Sequence, residues 1–219
     1  EPYRRQRQMC IRDSSKLERS YGLNWDVNYV TSLCDDCVSL SINQLFFYTY
    51  LRSPLFLREL NGGLYQLEQS GHMATRGGET NVKIGYEDLH LYVGYTFTDA
   101  GTHEAGGGCH ENTLVPKHRI NAVLMYEVED KWRIGLESYY FSSQKLNDSS
   151  RGKAYTICGF MIEKIWENFS LFANFENFTD RRQTRFDTIN TGSITHPVFR
   201  DIYAPLDGFV MNGGVKLRF

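Results

Sequence analysis

The sequence predicts an all-β chain: an antiparallel up-and-down meander of about nine strands that forms part of a transmembrane outer-membrane β-barrel. Three observations predict this fold class. Apolar and polar residues alternate with a period of two, the apolar faces of the four clearest strands carry no charge, and short and long connections alternate along the chain. The composition agrees, because 14 Tyr, 14 Phe and only 5 Pro in 219 residues favour strands over helices.

The period of two begins near Tyr21 and is clearest from Leu89 to Phe97, where five apolar residues alternate with His, Tyr, Gly and Thr. Such alternation places one apolar and one polar face on each strand. The chain contains no run of 18 apolar residues, so the sequence predicts no transmembrane helix. The predicted strands are 22–31, 38–51, 64–86 (interrupted near Gly71 to Gly78), 89–99, 117–128, 132–142, 153–164, 169–178 and 208–219.

Charge follows the same alternation. The apolar faces of the four clearest strands carry no Asp, Glu, Lys or Arg, whereas their opposite faces hold Asp26, Glu176, Lys216 and Arg218. A charge on the lipid face of a barrel costs ~2–4 kcal/mol at mid-bilayer, so a barrel requires this sorting. A soluble β-sandwich sorts its faces in the same way and stays open as an alternative at this point.

The connections distinguish the two alternatives. Short turns at 34–37, 87–88, 129–131 and 166–168 alternate with long polar stretches at 52–63, 100–116, 142–152 and 179–207. Short turns on one rim and long loops on the other are typical of outer-membrane barrels. Aromatic residues, which favour the bilayer interface, also gather near the short turns. They are Tyr86, Tyr126, Trp132, Trp166, Phe169 and Phe219.

Several segments between residues 15 and 219 resemble the barrel of TonB-dependent outer-membrane receptors. FANFENFTD, from Phe172 to Asp180, resembles the penultimate strand and its exit, and Val198 to Phe219 resembles the last loop and closing strand. Asn43 to Tyr48 and Gly77 to Tyr86 also resemble receptor strands. Family members form a plugged barrel of roughly 22 strands. The resemblance implies that residues 15–219 are the C-terminal part of such a barrel, about its last nine strands.

The resemblance also implies a function and partners. It implies import of a scarce solute, such as an iron–siderophore complex, heme or cobalamin, across the outer membrane of a Gram-negative bacterium. The partners implied are the TonB complex, through a plug and TonB box upstream, and outer-membrane lipid and lipopolysaccharide. The barrel-assembly machinery would read the closing strand, in which the signal residues are Phe209, Met211, Val215, Leu217 and Phe219.

Other features of the sequence indicate a fragment. Residues 1–14, EPYRRQRQMCIRDS, have neither strand nor helix periodicity and resemble a translated sequencing scar; a natural basic arm is the alternative. The predicted strand number is odd, whereas single-chain bacterial barrels have even numbers. We therefore expect residues 1–14 to be disordered and the natural protein to extend upstream. We also expect the isolated chain to aggregate in buffer without detergent, because its strand edges would be unpaired.

The longest loop carries the predicted ligand site. Arginine side chains hold anionic groups bidentately, and this loop concentrates them at the outer rim. The alternative is an ordinary solvated loop. The predicted ligand-binding residues are Arg181, Arg182, Arg185, His196 and Arg200.

Two smaller motifs carry weaker hypotheses. Cys34 and Cys37 have CxxC spacing but sit in a predicted hairpin turn, so they read as turn residues, free or bridged. His103, Glu104, Cys109, His110 and Glu111 share a glycine-rich loop, but their spacing matches no standard metal site.

The remaining predictions are absences and competing functions. The sequence shows no nucleophile, paired-acid or phosphate-loop motif, and its net charge of -2 gives no reason to expect nucleic acid. We predict no enzyme activity, no metal and no cofactor. The competing functions are a passive porin-like channel or a surface adhesin barrel, and, in another class, a soluble β-sandwich binding module.

Removal of Phe219 in the full-length protein is expected to lower barrel insertion more than the stability of barrels already inserted, because that residue ends the predicted assembly signal. Heat-modifiable gel mobility of outer-membrane fractions measures insertion. Normal insertion without Phe219 would remove this argument.

Overall fold

The structure is a computed structural model that describes residues 16–35, 37–60, 64–104 and 108–218, with the side chains of 57–60, 64 and 65 left aside. Residues 1–14, Phe219 and most of the triple glycine at 106–108 lie outside the described residues. The chain divides into two compact units. One comprises residues 1–24, 47–76 and 100–112, and the other comprises 25–46, 77–99 and 113–219.

The main sheet confirms the predicted antiparallel meander. Nine strands follow one another in chain order as β1-β2-β5-β6-β8-β9-β12-β13-β16, and β7 pairs with the end of β6. Every pair with a described register is antiparallel. The strands are β1 (Arg19–Leu33), β2 (Val38–Arg52), β5 (His72–Tyr86), β6 (Leu89–His103), β7 (Cys109–Glu111), β8 (His118–Val128), β9 (Trp132–Phe141), β12 (Tyr155–Ile165), β13 (Phe169–Glu176) and β16 (Val210–Leu217).

The four predicted short turns are present. Three of them place non-glycine residues at positive φ, including Cys34 at 56°, Glu87 at 49° and Asp130 at 54°. Tight hairpin turns need this left-handed backbone to match the twist of the strands they join. The fourth turn is closed by a hydrogen bond from the Trp166 amide to the Phe169 carbonyl, at 2.8 Å.

The prediction of one interrupted strand over 64–86 was wrong. Residues 64–69 form β4 (Leu64–Gln69), which pairs with β3 (Leu55–Leu60) in a separate hairpin, and β5 then runs unbroken from His72. The break falls at Ser70 and Gly71, and φ at Gly71 is +68°. A Cβ there would lie 1.9 Å from the His103 carbonyl oxygen, so only glycine fits.

The long connections contain more regular structure than their polar sequences predicted. The stretch 142–152 holds β10 (Gln144–Lys145) paired with β11 (Arg151–Gly152), and 179–207 holds β14 (Asn190–Ser193) paired with β15 (His196–Phe199). A four-residue helix, α1 (Gln183–Phe186), precedes that hairpin. Among the described residues, no helix is long and apolar enough to cross a membrane.

One face of the sheet is apolar, and its side chains are open to the surroundings. In register across β8 and β9, Leu124 lies opposite Leu136, and both are more than two-fifths exposed. At the end of the sheet Val215 is 58% exposed on the same face, opposite Leu171. Exposed large apolar side chains on one continuous face indicate a surface that water does not cover in the working protein.

The other face is polar and internally paired. Lys216 Nζ lies 2.9 Å from Glu163 Oε1, and the Ser170 hydroxyl donates to the same oxygen at 2.7 Å. Glu163 is only 5% exposed, so its carboxylate needs these donors. Lys216 also lies 5.0 Å from the centre of the Phe172 ring. The closing strand therefore turns Lys216 toward the polar face and Val215 toward the apolar face, as the period of two predicted.

Val215→Arg in the full-length protein is expected to destabilise the barrel by ~2–4 kcal/mol if the position lies near mid-bilayer, and by less near the rim. Lys216→Gln is the matched control on the adjacent residue, since an amide can still donate to Glu163. Heat-modifiable mobility with and without urea measures both. Equal yields of folded barrel from the two variants would show that the facing is wrong.

Candidate functional site

The two long connections 142–154 and 177–209, which we call the loop cap, each bury one side chain completely. Gln183 in α1 is fully buried. Its side-chain nitrogen donates to the Asp201 carbonyl at 2.8 Å, and its side-chain oxygen accepts from the amides of Tyr203 and Ala204 at 2.8 and 3.0 Å. Leu146, from the other connection, is also fully buried. The loop cap therefore has a small core of its own.

A charged network ties the two connections of the loop cap together. Arg200 bonds Asp187 at 3.0 Å within its own connection, and Asp148 at 3.2 Å and Ser150 at 2.6 Å in the other. The Tyr203 hydroxyl donates to Asp187 and accepts a hydrogen bond from the Lys153 amide at 2.8 Å. Every partner in this network lies in the loop cap.

The network shifts the pKa values of Tyr203 and Asp187. Burial and the hydrogen bond to the Asp187 carboxylate together raise the pKa of Tyr203 to about 12. Burial alone would raise the pKa of Asp187, but the Tyr203 hydroxyl, the Thr188 amide and the charge of Arg200 outweigh it and lower that pKa. Asp187 thus contributes stability that is lost only as the pH falls through its depressed pKa. Tyr203 contributes stability that is lost as the pH rises toward 12.

The structure places the predicted ligand residues in different surroundings. Arg182 and Arg185 both pair with Asp180, and Arg181 lies with its guanidinium 4.0 Å from the centre of the Phe186 ring. Three of the four predicted arginines, Arg182, Arg185 and Arg200, therefore already have carboxylate partners. The fifth predicted residue, His196, is exposed at the start of β15. Ligand binding by this set stays a prediction.

A cavity of about 580 Å³ lies between the polar face of the sheet and the end of the loop cap. Glu137 and Glu176 line it from the strands, and Asp207 lines it from the loop cap. Its lining includes no Lys or Arg. The arrangement is acidic and faces the side of the sheet that the sequence assigns to a water-filled lumen.

Two methionines give this cavity an apolar floor. Met125, Gly135 and Met161 lie in one row across β8, β9 and β12, so the glycine leaves room between two thioether side chains. A Cβ on Gly135 would be 3.8 Å from Met161 Cε. No sequence motif marks these residues. The period of two in β9 places Gly135 on the face that carries Glu137, and the register of β8 and β12 adds Met125 and Met161 to that face.

The structure does not arrange the two smaller motifs, the CxxC pair and the glycine-rich His/Cys/Glu loop, as a redox or metal site. Cys34 and Cys37 are exposed free thiols in a turn. His103 lies opposite Cys109 in the β6–β7 pair, 3.7 Å from ring nitrogen to sulfur, and His110 lies 3.8 Å from Glu104. Among the described residues, no group of three or more His, Cys, Asp or Glu is arranged to hold a metal ion.

The fold, in contrast to the sequence, has clear relatives. No protein-family model and no curated protein sequence matches the chain. Among solved structures, the copper transporter OprC superposes with a TM-score of 0.68 and 13% identity over 92% of this chain. The FrpB iron transporter from Neisseria meningitidis (F5-1 variant) superposes with a TM-score of 0.65 and 14% identity over 95% of it.

A third structure, the pyoverdine outer membrane receptor FpvA from Pseudomonas aeruginosa PAO1 bound to pyoverdine, superposes with a TM-score of 0.58 and 16% identity over 91% of this chain. The chain spans 30% to 33% of the length of these three proteins. At these identities the likeness concerns the fold alone. The fold is that of part of an outer-membrane β-barrel, as the sequence predicted.

The phenol of Tyr203 is expected to titrate near pH 12 rather than near its ordinary ~10. Absorbance at the phenolate band, taken as the difference between the full-length protein and its Tyr203→Phe variant, isolates this group. Asp187→Asn should bring the transition down, because it removes the carboxylate that holds the phenolic proton. An ordinary pKa in both backgrounds would contradict the described network.

Proposed function

We propose that this chain is the C-terminal part of the barrel of a TonB-dependent outer-membrane receptor that imports a scarce, metal-bearing solute. The observation that carries the proposal is the nine-strand meander with an exposed apolar face, a paired polar face and a folded cap on its long connections. Porins and adhesin barrels also have an antiparallel meander with an exposed apolar face. A cap with its own core and a cavity beneath it favours a receptor that holds its solute before transport.

The class of solute is supported by the site. Glu137, Glu176 and Asp207 would attract a cationic group of the solute into the cavity, and the thioethers of Met125 and Met161 would contact its apolar parts. The three similar structures are named for copper transport, iron transport and pyoverdine reception, respectively. An iron chelate, heme, cobalamin or a similar solute fits this proposal.

The outer part of the loop cap supports a first contact with such a solute. Arg185 keeps a side chain that is 59% exposed although it pairs with Asp180, and His196 is also exposed. A guanidinium with spare donors can bind the carboxylate or catecholate groups of a chelate as well as its intramolecular partner. Arg181, Arg182 and Arg200 would then position the loop more than they bind the solute.

The partners in this proposal follow from its class. Transport would draw energy from the TonB complex through a plug and TonB box upstream of this chain. The closing strand β16, with Phe209 before it and Phe219 after it, would direct assembly by the barrel-assembly machinery. The apolar face would contact phospholipid, and the long-connection rim would contact lipopolysaccharide. The outer membrane of a Gram-negative bacterium is the corresponding location.

Uptake in matched strains tests the proposal. Cells that express the full-length protein, with or without TonB, are given radio-iron as ferric enterobactin, ferric pyoverdine or hemin, and labelled cobalamin. We expect accumulation of at least one of these probes only when both the protein and TonB are present. For a probe that presents a cationic group to the cavity, Glu137→Gln combined with Glu176→Gln should raise the KM of uptake more than it lowers the maximal rate, because the change removes that attraction and leaves energy coupling intact.

Two outcomes would contradict the proposal. A steady ion conductance of the intact protein in planar bilayers, with uptake independent of TonB, would indicate a passive pore. Extraction from cells without detergent, as a monodisperse soluble monomer, would indicate a soluble β-sandwich.

A further inference from the structure

One lysine departs from the sorting of charge that governs the apolar face. Lys164 is the penultimate residue of β12, and its register places it on the face that carries Ile162 and Leu171. The other described positions of this face in β8, β9, β12, β13 and β16 hold no Asp, Glu, Lys or Arg. Contact with a water-filled lumen, which accounts for the charges on the polar face, therefore cannot account for the charge of Lys164.

Two tryptophans flank this lysine. Trp132 is its cross-strand neighbour in β9, and Lys164 Nζ lies 4.3 Å from the centre of that indole ring. Trp166, in the following turn, lies 5.8 Å from the same nitrogen. Trp166 is held in place by stacking on Phe169, with ring centres 4.7 Å apart. The ammonium is thus fixed at the short-turn rim by two cation–π contacts.

The charge of Lys164 is not neutralised within the described part of the chain. Two other cations near this rim have carboxylate partners: Lys216 pairs with Glu163 at 2.9 Å, and Arg133 pairs with Glu127 at 2.6 Å. No carboxylate of the described residues lies within ion-pair distance of Lys164. Nor does either flanking indole N–H have a hydrogen-bond partner among those residues. The site therefore offers ammonium and indole donors for which the described residues supply no acceptor.

We propose that Lys164, Trp132 and Trp166 bind the phosphate of a phospholipid in the leaflet that adjoins the short-turn rim. This inference rests on the proposed membrane location. The short-turn rim is the level at which lipid phosphates lie, and a phosphodiester supplies the negative charge and the acceptor oxygens that the three side chains lack. Ile134 and Ile162, the next apolar pair along β9 and β12, give its acyl chain an apolar surface.

Native mass spectrometry in a neutral detergent tests the headgroup site on the full-length protein. The probe is phosphatidylglycerol, with diacylglycerol of the same acyl chains as the control that lacks phosphate. We expect Lys164→Gln to retain about fivefold less phosphatidylglycerol than the unchanged protein, the effect of one basic residue at a membrane surface. Lys164→Arg should retain it. Lys131→Gln, a lysine change in the adjacent short turn, should have no effect.

A second measurement separates failure of the site from failure of the membrane placement. The fluorescence of Trp132 and Trp166 is isolated as the difference between the full-length protein and its Trp132→Phe, Trp166→Phe double variant. Phospholipids with brominated acyl chains should quench that difference in bilayers. Absence of quenching would overturn both this site and the proposed function. Quenching together with equal retention of phosphatidylglycerol by Lys164→Gln, or equal retention of diacylglycerol by the unchanged protein, would overturn the phosphate site alone.

Discussion

Hydrocarbon neither accepts hydrogen bonds nor solvates charge, so a sheet that crosses a membrane must pair its backbone internally and keep ionised groups off one face. The other features of this chain depend on that constraint. The antiparallel meander pairs its strands in chain order, and the polar face collects the charges that the apolar face excludes. Glu163, Ser170 and Lys216 show how that face accommodates a nearly buried carboxylate, with one charged and one neutral donor on the same oxygen.

The period of two was enough to predict the strands and their facing because it is a local property of the chain. The ends of the strands and the internal order of the long connections depend on distant partners. Position 71, where the β3–β4 hairpin ends, requires glycine because the carbonyl of His103 lies against it. Gln183 organises the loop cap through backbone groups about twenty residues away, and no periodicity marks it. The polar composition of this stretch therefore predicted a long loop and gave no indication of its internal structure.

In the candidate site, too, local sequence identified some features, whereas those that depend on distant partners were missed. Arginine content drew attention to the longest loop, but the carboxylates that occupy Arg200 lie at Asp148 and Asp187, one of them in another connection. The composition of a loop gives the number of its charged residues but does not show which of them form ion pairs. The cavity was missed for a different reason: Glu137 and Met161 are isolated in sequence and meet only through strand register. With register known, the polar face becomes the more promising place to seek the solute.

The facing of the strands in the membrane is the central claim, and site-directed labelling of β13 tests it most directly. Single cysteines are placed from Leu171 to Glu176 in a full-length background that lacks the native cysteines, and outer-membrane vesicles are treated with a membrane-impermeant maleimide. Phe172, Asn174 and Glu176 lie on the polar face and are predicted to react, whereas Leu171, Ala173 and Phe175 are predicted to react only with a lipid-soluble maleimide. Labelling without alternation, or with the opposite alternation, would contradict the account.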